Sequence, residues 1–351
     1  MTTVVSAGTR RRLVALGWIV GVSVAGGAVY GALAGYVARG ELGGGAAIGM
    51  IRAFTVSMVL ASTELFGTRT TLGRRLERAP FLVMLLVKAV LYGSIIIAVE
   101  ATNLGVRLAG YAGYGRPFGG PLAPLSLAFS FAGALLFLFV FHVSRLVGGR
   151  TLGALLLGRY HRPREEERFF LFVDVAGSTA LAERLGPTGV HRFLNAVFRL
   201  AADPIDDHRG EIYQYVGDEL VVTWTAAAGR PYARPLACFF AIEAVLADAA
   251  AAFAREFGTA ARLRAALHAG PVIAGEIGER RRAIVFHGDV LNTAARIEQL
   301  TRDLDRRFLV SEDALTRLDG YAGYALEDLG DRSVRGRAAK VHVYAVQRTA
   351  A

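Results

Sequence analysis

Four long apolar runs fill most of the first 144 residues, and from residue 168 the pattern changes to short apolar segments separated by turns. Leu13 to Val37 is free of formal charge over twenty-five residues, and Pro121 to Ser144 has His142 as its one titratable group. Ala46 to Gly67 and Phe81 to Val106 are of comparable length and hold two charges each. About 20 apolar residues suffice for a helix to cross a bilayer, so the pattern predicts four transmembrane helices. The first follows Arg10, Arg11 and Arg12, but it is too long for a signal-peptide core and three more runs follow, so it is read as a retained anchor.

The second half alternates strand and helix patterns. Phe169 to Val175 reads as a buried strand, and Ser178 to Leu185 and Val190 to Ala202 have helical spacing with Pro187 between them. Glu211 to Val216 and Leu220 to Thr225 flank Gly217-Asp218 as a hairpin. Arg234 to Phe257 is an alanine-rich helix, and Leu263 to His268, Val272 to Glu276 and Ala283 to His287 are strand candidates. Asp289 to Leu304 is again helical, followed by a strand at Phe308 to Val310, a short helix near Ala314 and a last strand at Val341 to Val346. Alternation around a central hairpin predicts an α+β, ferredoxin-like sheet with helices on one face. The expected domains are a four-helix transmembrane domain at 1–148, a short polar linker at 149–166 and an α+β domain at 167–351. The linker holds leucines at 152, 155, 156 and 157 before Pro163 and a charge run.

The net charge of +10 lies entirely in the apolar half. Residues 1–150 hold fourteen Lys and Arg against four Glu, while residues 151–351 hold twenty-six of each sign. A basic excess in membrane loops orients helices, which removes the main argument for nucleic-acid binding. Twelve arginines fall on the side of the two termini and three on the other, so the positive-inside rule predicts a multi-pass protein of the inner (plasma) membrane with its C-terminal half in the cytoplasm. The single cysteine, Cys238, excludes an internal disulfide and a cysteine-rich metal cluster. Arg52, Glu64, Lys88 and Glu100 fall inside the second and third runs, where antiparallel neighbours would pair Glu64 with Lys88 and Arg52 with Glu100. Such pairs are either structural clasps or a ligand or ion site within the bundle.

Two motifs carry the chemistry. Phe172-Val-Asp174-Val-Ala-Gly177-Ser-Thr ends a strand on a carboxylate and opens a helix through small residues, so that the amides of Gly177, Ser178 and Thr179 face an anion. Asp218 sits at the tip of Tyr215-Val-Gly-Asp-Glu-Leu; if the hairpin pairs beside the first strand, the two Asp converge on hard cations. Two carboxylates with phosphate oxygens suit Mg2+ better than zinc. Asn292 and Arg296 lie four apart on one helix face, where Arg can fork onto a phosphoryl oxygen and Asn can fix a sugar or base edge.

With His268-Ala-Gly-Pro-Val-Ile-Ala-Gly275, these motifs make Arg168 to Val346 resemble a class III nucleotidyl cyclase catalytic domain. The resemblance implies a head-to-tail homodimer with active sites at the interface. Asp174, Asp218 and the carbonyl of Val175 would hold two Mg2+ per site, Mn2+ being able to substitute, while Asn292 and Arg296 would come from the other subunit. Arg335 or Arg337 would meet the terminal phosphates, and Gln214 and Val285 stand where the family reads the base. The reaction implied is conversion of ATP to 3′,5′-cyclic AMP and pyrophosphate. Gln214 and Val285 depart from the family's usual pairs, and Gln can both donate and accept, so a guanylate cyclase making cyclic GMP is the alternative. A nucleotide-binding membrane receptor without turnover is a third reading, and Val216-Gly-Asp-Glu-Leu220 lacks the Gly-Gly-Asp-Glu-Phe signature of diguanylate cyclases. The four helices, surrounded by lipid, are either a receptor for an unidentified ligand or an anchor and dimeriser.

Overall fold

Successive apolar residues in Phe169-Phe-Leu-Phe-Val173 leave neither side of their strand fit for water, and the architecture follows from covering both. A computed structural model describes residues 7–39, 42–67, 70, 73, 76, 79–108, 123–280, 282–334 and 340–349. The chain divides into two compact units, Met1–Leu146 and Val147–Ala351.

In the first unit the apolar runs form α1 (Ala7–Arg39), α2 (Gly43–Phe66), α3 (Phe81–Leu108) and α4 (Ala123–Val147). All four are long and apolar enough to cross a membrane. Gly27 and Gly31 of α1 mesh with Gly49 and Gly45 of α2 so closely that a Cβ on any of them would run into the facing glycine's carbonyl oxygen. Small residues give helices this approach where lipid removes the hydrophobic driving force. Of the two expected ion pairs, Glu64 with Lys88 is present at 2.7 Å. The Arg52–Glu100 pairing lies outside the described side chains.

The second unit opens with α5 (Gly149–Leu156) and is built on a mixed eight-stranded sheet. Its strands are β1 (Arg164–Val175), β2 (Glu211–Val216), β3 (Glu219–Thr225), β4 (Leu263–Ile277), β5 (Ala283–His287), β6 (Phe308–Ser311), β7 (Tyr324–Arg332) and β8 (Val341–Arg348). Their order is β2-β3-β1-β4-β6-β8-β7, with β5 also on β4, and among the described residues only β4 and β6 run parallel. Phe169, Leu171, Val173 and Val175 face a core made with α6 (Ser178–Asp207), α7 (Arg234–Asp248) and α8 (Ala250–Phe257). Phe170 and Phe172 face Val290 and Ala294 of α9 (Asp289–Asp303). Helices therefore cover both faces, not one, because a strand apolar at consecutive positions needs burial on each side.

Other boundaries shift for local reasons. The two helices expected around Pro187 form α6 with a kink at Gly186, whose φ of 70° and ψ of 171° interrupt the helical path. The expected alanine-rich helix bends by 59° between α7 and α8. β4 runs unbroken through Gly270-Pro271; there it has passed β6 and not yet met β5, so a missing N–H costs no pair on that side. The joint ahead of β1 is anchored on the sheet. The Glu276 amide donates to the Tyr160 carbonyl at 3.0 Å, and the Tyr160 hydroxyl donates to Glu166 Oε1 at 3.0 Å. Arg168, 2% exposed, donates to the Tyr160 hydroxyl and to Glu166 and lies 4.4 Å over the ring of Phe286.

Candidate active site

The site begins where β1 ends. Asp174 is 3% exposed and stands opposite Glu219 of β3 in the strand register, which brings the β2–β3 hairpin tip beside it. Gly217 takes a φ of +62° to turn that hairpin and present Asp218. The Val175 amide donates to the Asp218 carbonyl at 3.3 Å. Gly177, with φ +77°, caps α6, and the Ser178 hydroxyl donates to Asp218 Oδ2. A rigid strand end, a tight hairpin and a helix N-terminus thus meet at two carboxylates.

The cluster is larger than the two Asp. Arg302, in the last turn of α9, donates from Nη2 to Asp174 Oδ2 at 2.9 Å and lies 3.9 Å from Glu298 Oε1. Burial pushes the Asp174 carboxyl up, the charge of Asp218 pushes it further, and Arg302 pulls it down. Glu219 and Glu298 are each raised to about 7, first by burial; then Glu298 acts on Glu219, and Asp174 acts on Glu298. These shifts mark a buried region where carboxylates crowd together.

The donors suit a hard divalent cation. All are oxygens, and the described residues contain no group of three His, Cys, Asp or Glu able to enclose a metal. Mg2+ is usually held by one or two carboxylates, with water and substrate phosphates completing its shell. Asp174, Asp218 and the Val175 carbonyl would be the protein's share.

Residues 162–348 match the family described as the adenylate and guanylate cyclase catalytic domain. The chain belongs to this family. It is 37% identical over 303 residues to adenylate cyclase 2 of Rhizobium meliloti, covering 86% of this chain and 83% of that one. That alignment is longer than the cyclase domain, so it takes in part of the helical unit. An adenylate cyclase of Mycobacterium tuberculosis is 28% identical over 172 residues, 49% of this chain and 38% of the relative. The solved structure of a bacterial light-regulated adenylyl cyclase matches in fold at a TM-score of 0.50 and 19% identity, over 65% of each chain.

The cyclase unit brings some of the expected residues together and separates others. Asp174, Val175, Gly177, Ser178 and Asp218 share one site, and Thr179 is exposed in the first turn of α6. At about 100° per residue, Asn292 and Arg296 sit about 120° around α9 from Glu298 and Arg302. Among the described residues, no hydrogen bond or ion pair joins Asn292 or Arg296 to the Asp174 cluster. Gln214 is exposed on β2 and Val285 half-buried on β5; their neighbours Tyr213 and Phe286 have ring centroids 5.0 Å apart, so the two strands approach at this point. Arg335 and Arg337 lie outside the described residues. His268 hydrogen-bonds Ser311 at 2.7 Å, and the same hydroxyl caps the turn at Ala314, a structural arrangement.

Sequence reasoning missed Glu219, Glu298 and Arg302. Glu298 and Arg302 are spaced i,i+4, the pattern of an ordinary solvated helix pair. The available signal was the buried stripe of α9, Val290, Thr293, Ala294, Ile297 and Thr301, whose flank includes Glu298.

Proposed function

We propose that the chain is a membrane-anchored adenylate cyclase that converts ATP to 3′,5′-cyclic AMP and pyrophosphate at sites shared between two copies. The observation that carries this reading is the buried, oxygen-only Asp174–Asp218 pair at the end of β1. The names of the Rhizobium and Mycobacterium relatives support ATP as substrate.

Two Mg2+ ions, when bound, supply acidification of the ribose 3′-hydroxyl and neutralisation of triphosphate charge. The residues do the rest. Asp174, Asp218 and the Val175 carbonyl would hold the metals, and the amides of Gly177 to Thr179 would face phosphate. Asn292 of the second copy orients the ribose, so that its 3′-oxygen lies in line with the α-phosphorus. As the 3′-oxygen bonds to the α-phosphorus, the bond from that phosphorus to pyrophosphate breaks and the 3′ proton passes to water. Arg296 of the second copy donates to the α-phosphoryl oxygen as charge accumulates there. Arg335 or Arg337 meets the terminal phosphates. The Gln214 amide can donate to adenine N1 and accept from its 6-amino group, whereas Val285 only packs.

The placement of Asn292 and Arg296 away from the Asp174 cluster supports two copies, since one α9 cannot turn both flanks to the same site. The arginine asymmetry and the four helices support an inner (plasma) membrane location with the cyclase unit in the cytoplasm, lipid around α1 to α4.

The test is turnover of ATP and of GTP by the detergent-purified 351-residue chain with Mg2+ or Mn2+, followed by mixing of two variants. Cyclic AMP from ATP is expected. A GTP preference overturns the base assignment, and no product from either nucleotide overturns the enzyme. Asp174→Asn and Arg296→Ala subunits, each inactive alone, should regain roughly a quarter of wild-type activity when paired at random, because half of the pairs are mixed and each holds one whole site. No recovery argues against shared sites.

A further inference from the structure

In the cyclase unit Asp174, Asp218, Glu219 and Glu298 lie near enough to act on one another electrostatically, and the arginine beside Asp174 and Glu298 has two places to go. Arg302 Nη2 lies 2.9 Å from Asp174 Oδ2 and 3.9 Å from Glu298 Oε1. The Glu298 side chain is 5% exposed, and its Oε1 is buried without a hydrogen-bond partner among the described residues. A buried acceptor left unpaired is unfavourable, so this oxygen is a standing site for a donor. The side chain of Arg302 is 56% exposed and sits in the last turn of α9, so its guanidinium can move without disturbing the core.

We propose that Arg302 is a built-in competitor for the divalent cation at Asp174, displaced onto Glu298 when a metal binds. The inference rests on the reading of Asp174 as a metal ligand. A guanidinium at hydrogen-bond distance from Asp174 and a divalent ion on the same carboxylate repel each other strongly in a partly desolvated site. Arg302 Nη2 has to come only about an ångström closer to Glu298 Oε1 to reach hydrogen-bond distance, where it meets an unsatisfied acceptor. Metal affinity is therefore set lower than the carboxylates alone would make it. Occupancy of the metal site is also tied to α9, the helix that carries Asn292 and Arg296.

The experiment measures Mn2+ binding to the detergent-purified chain by electron paramagnetic resonance, with no nucleotide and no turnover. Arg302→Gln should bind Mn2+ about three- to tenfold more tightly than the wild type, a half-exposed guanidinium being partly screened. Affinity that is unchanged or weaker overturns the proposal. Glu298→Gln should weaken binding more when Arg302 is present than in the Arg302→Gln background, since only the former loses a landing site; equal losses overturn the handover. Should Arg302→Gln not fold, Arg302→Lys replaces it. A single-pointed ammonium holds a carboxylate less well than a guanidinium, so binding about twofold tighter is expected and wild-type affinity overturns the proposal. Asp174→Asn separates the two layers: loss of Mn2+ binding there upholds the metal site whatever Arg302 does, and wild-type binding removes both.

Discussion

Glu64 in the helical unit and Asp174 in the cyclase unit are almost equally buried, at 2% and 3% exposure, yet their surroundings differ in kind. Glu64 Oε2 meets Lys88 Nζ at 2.7 Å and Oε1 accepts from the Tyr92 hydroxyl at 2.5 Å. Lys88 reaches His142 Nε2 at 3.2 Å, and His142 Nδ1 lies 2.9 Å from the Leu138 carbonyl. That pattern assigns the proton to Nδ1, leaving Nε2 to accept from Lys88. One negative charge faces one positive charge, and the chain of bonds ends on a backbone carbonyl. Asp174 and Glu298 share Arg302, Asp218 and Glu219 add negative charge beside them, and one Glu298 oxygen accepts no hydrogen bond among the described residues. Burial alone does not separate a clasp from a site. The balance of charge and the unmet acceptors do, because a closed network has nothing left to offer a ligand and an acidic, unbalanced one attracts cations.

Breaking each network should have opposite consequences. Asp174→Asn is expected to lower turnover at least about a thousandfold, roughly 4 kcal/mol in the barrier, while leaving the melting temperature measured without metal the same or higher. A variant that instead unfolds would put Asp174 in the same class as Glu64. Lys88→Met should do what Asp174→Asn does not. It strands a buried carboxylate in an apolar bundle, at about 3–5 kcal/mol, seen as loss of monodisperse protein in detergent, and adding Glu64→Gln should recover most of it. If Lys88→Met melts like the wild type, the clasp reading fails.

The smallest effect sharpens the comparison through pH. Glu219 and Glu298 start from 4.5 and rise to about 7 in the folded chain. The folded state then binds more protons than the unfolded one between those values, so stability falls as pH rises from about 4.5 to 7. Melting temperatures taken without metal should drift down across that window, and saturating Mg2+ should flatten the drift. A rise over the same window would contradict the acidic cluster.

Much of the site was legible because its parts are local. The apolar strand ending in Asp174, the small residues that open α6 and the Gly217-Asp218 turn each specify a few consecutive residues, and strand pairing then brings them together. Arg302 was not legible: it is 128 residues from Asp174, and only the packing of Val290, Ala294 and Ile297 against the sheet fixes which flank of α9 reaches the β1 end. β7 escaped for another reason. Tyr324-Ala-Leu-Glu-Asp-Leu-Gly-Asp-Arg332 has four charged residues in nine and forms an edge strand, where one side of the backbone meets water and apolar alternation is weak.

Taken by itself, the order of residues determined where the chain is apolar enough to enter a bilayer, where it turns, and which carboxylates stand at strand and hairpin ends. These are properties of run length, period and turn chemistry within a short window. Tertiary structure alone decided which helices cover each sheet face, that Tyr160 and Arg168 pin the joint to the sheet, and that Glu298 and Arg302 join Asp174 while Asn292 and Arg296 turn away. Each depends on how distant elements rotate about one another to bury their apolar stripes. That rotation, set by the whole core, is absent from any local stretch of sequence.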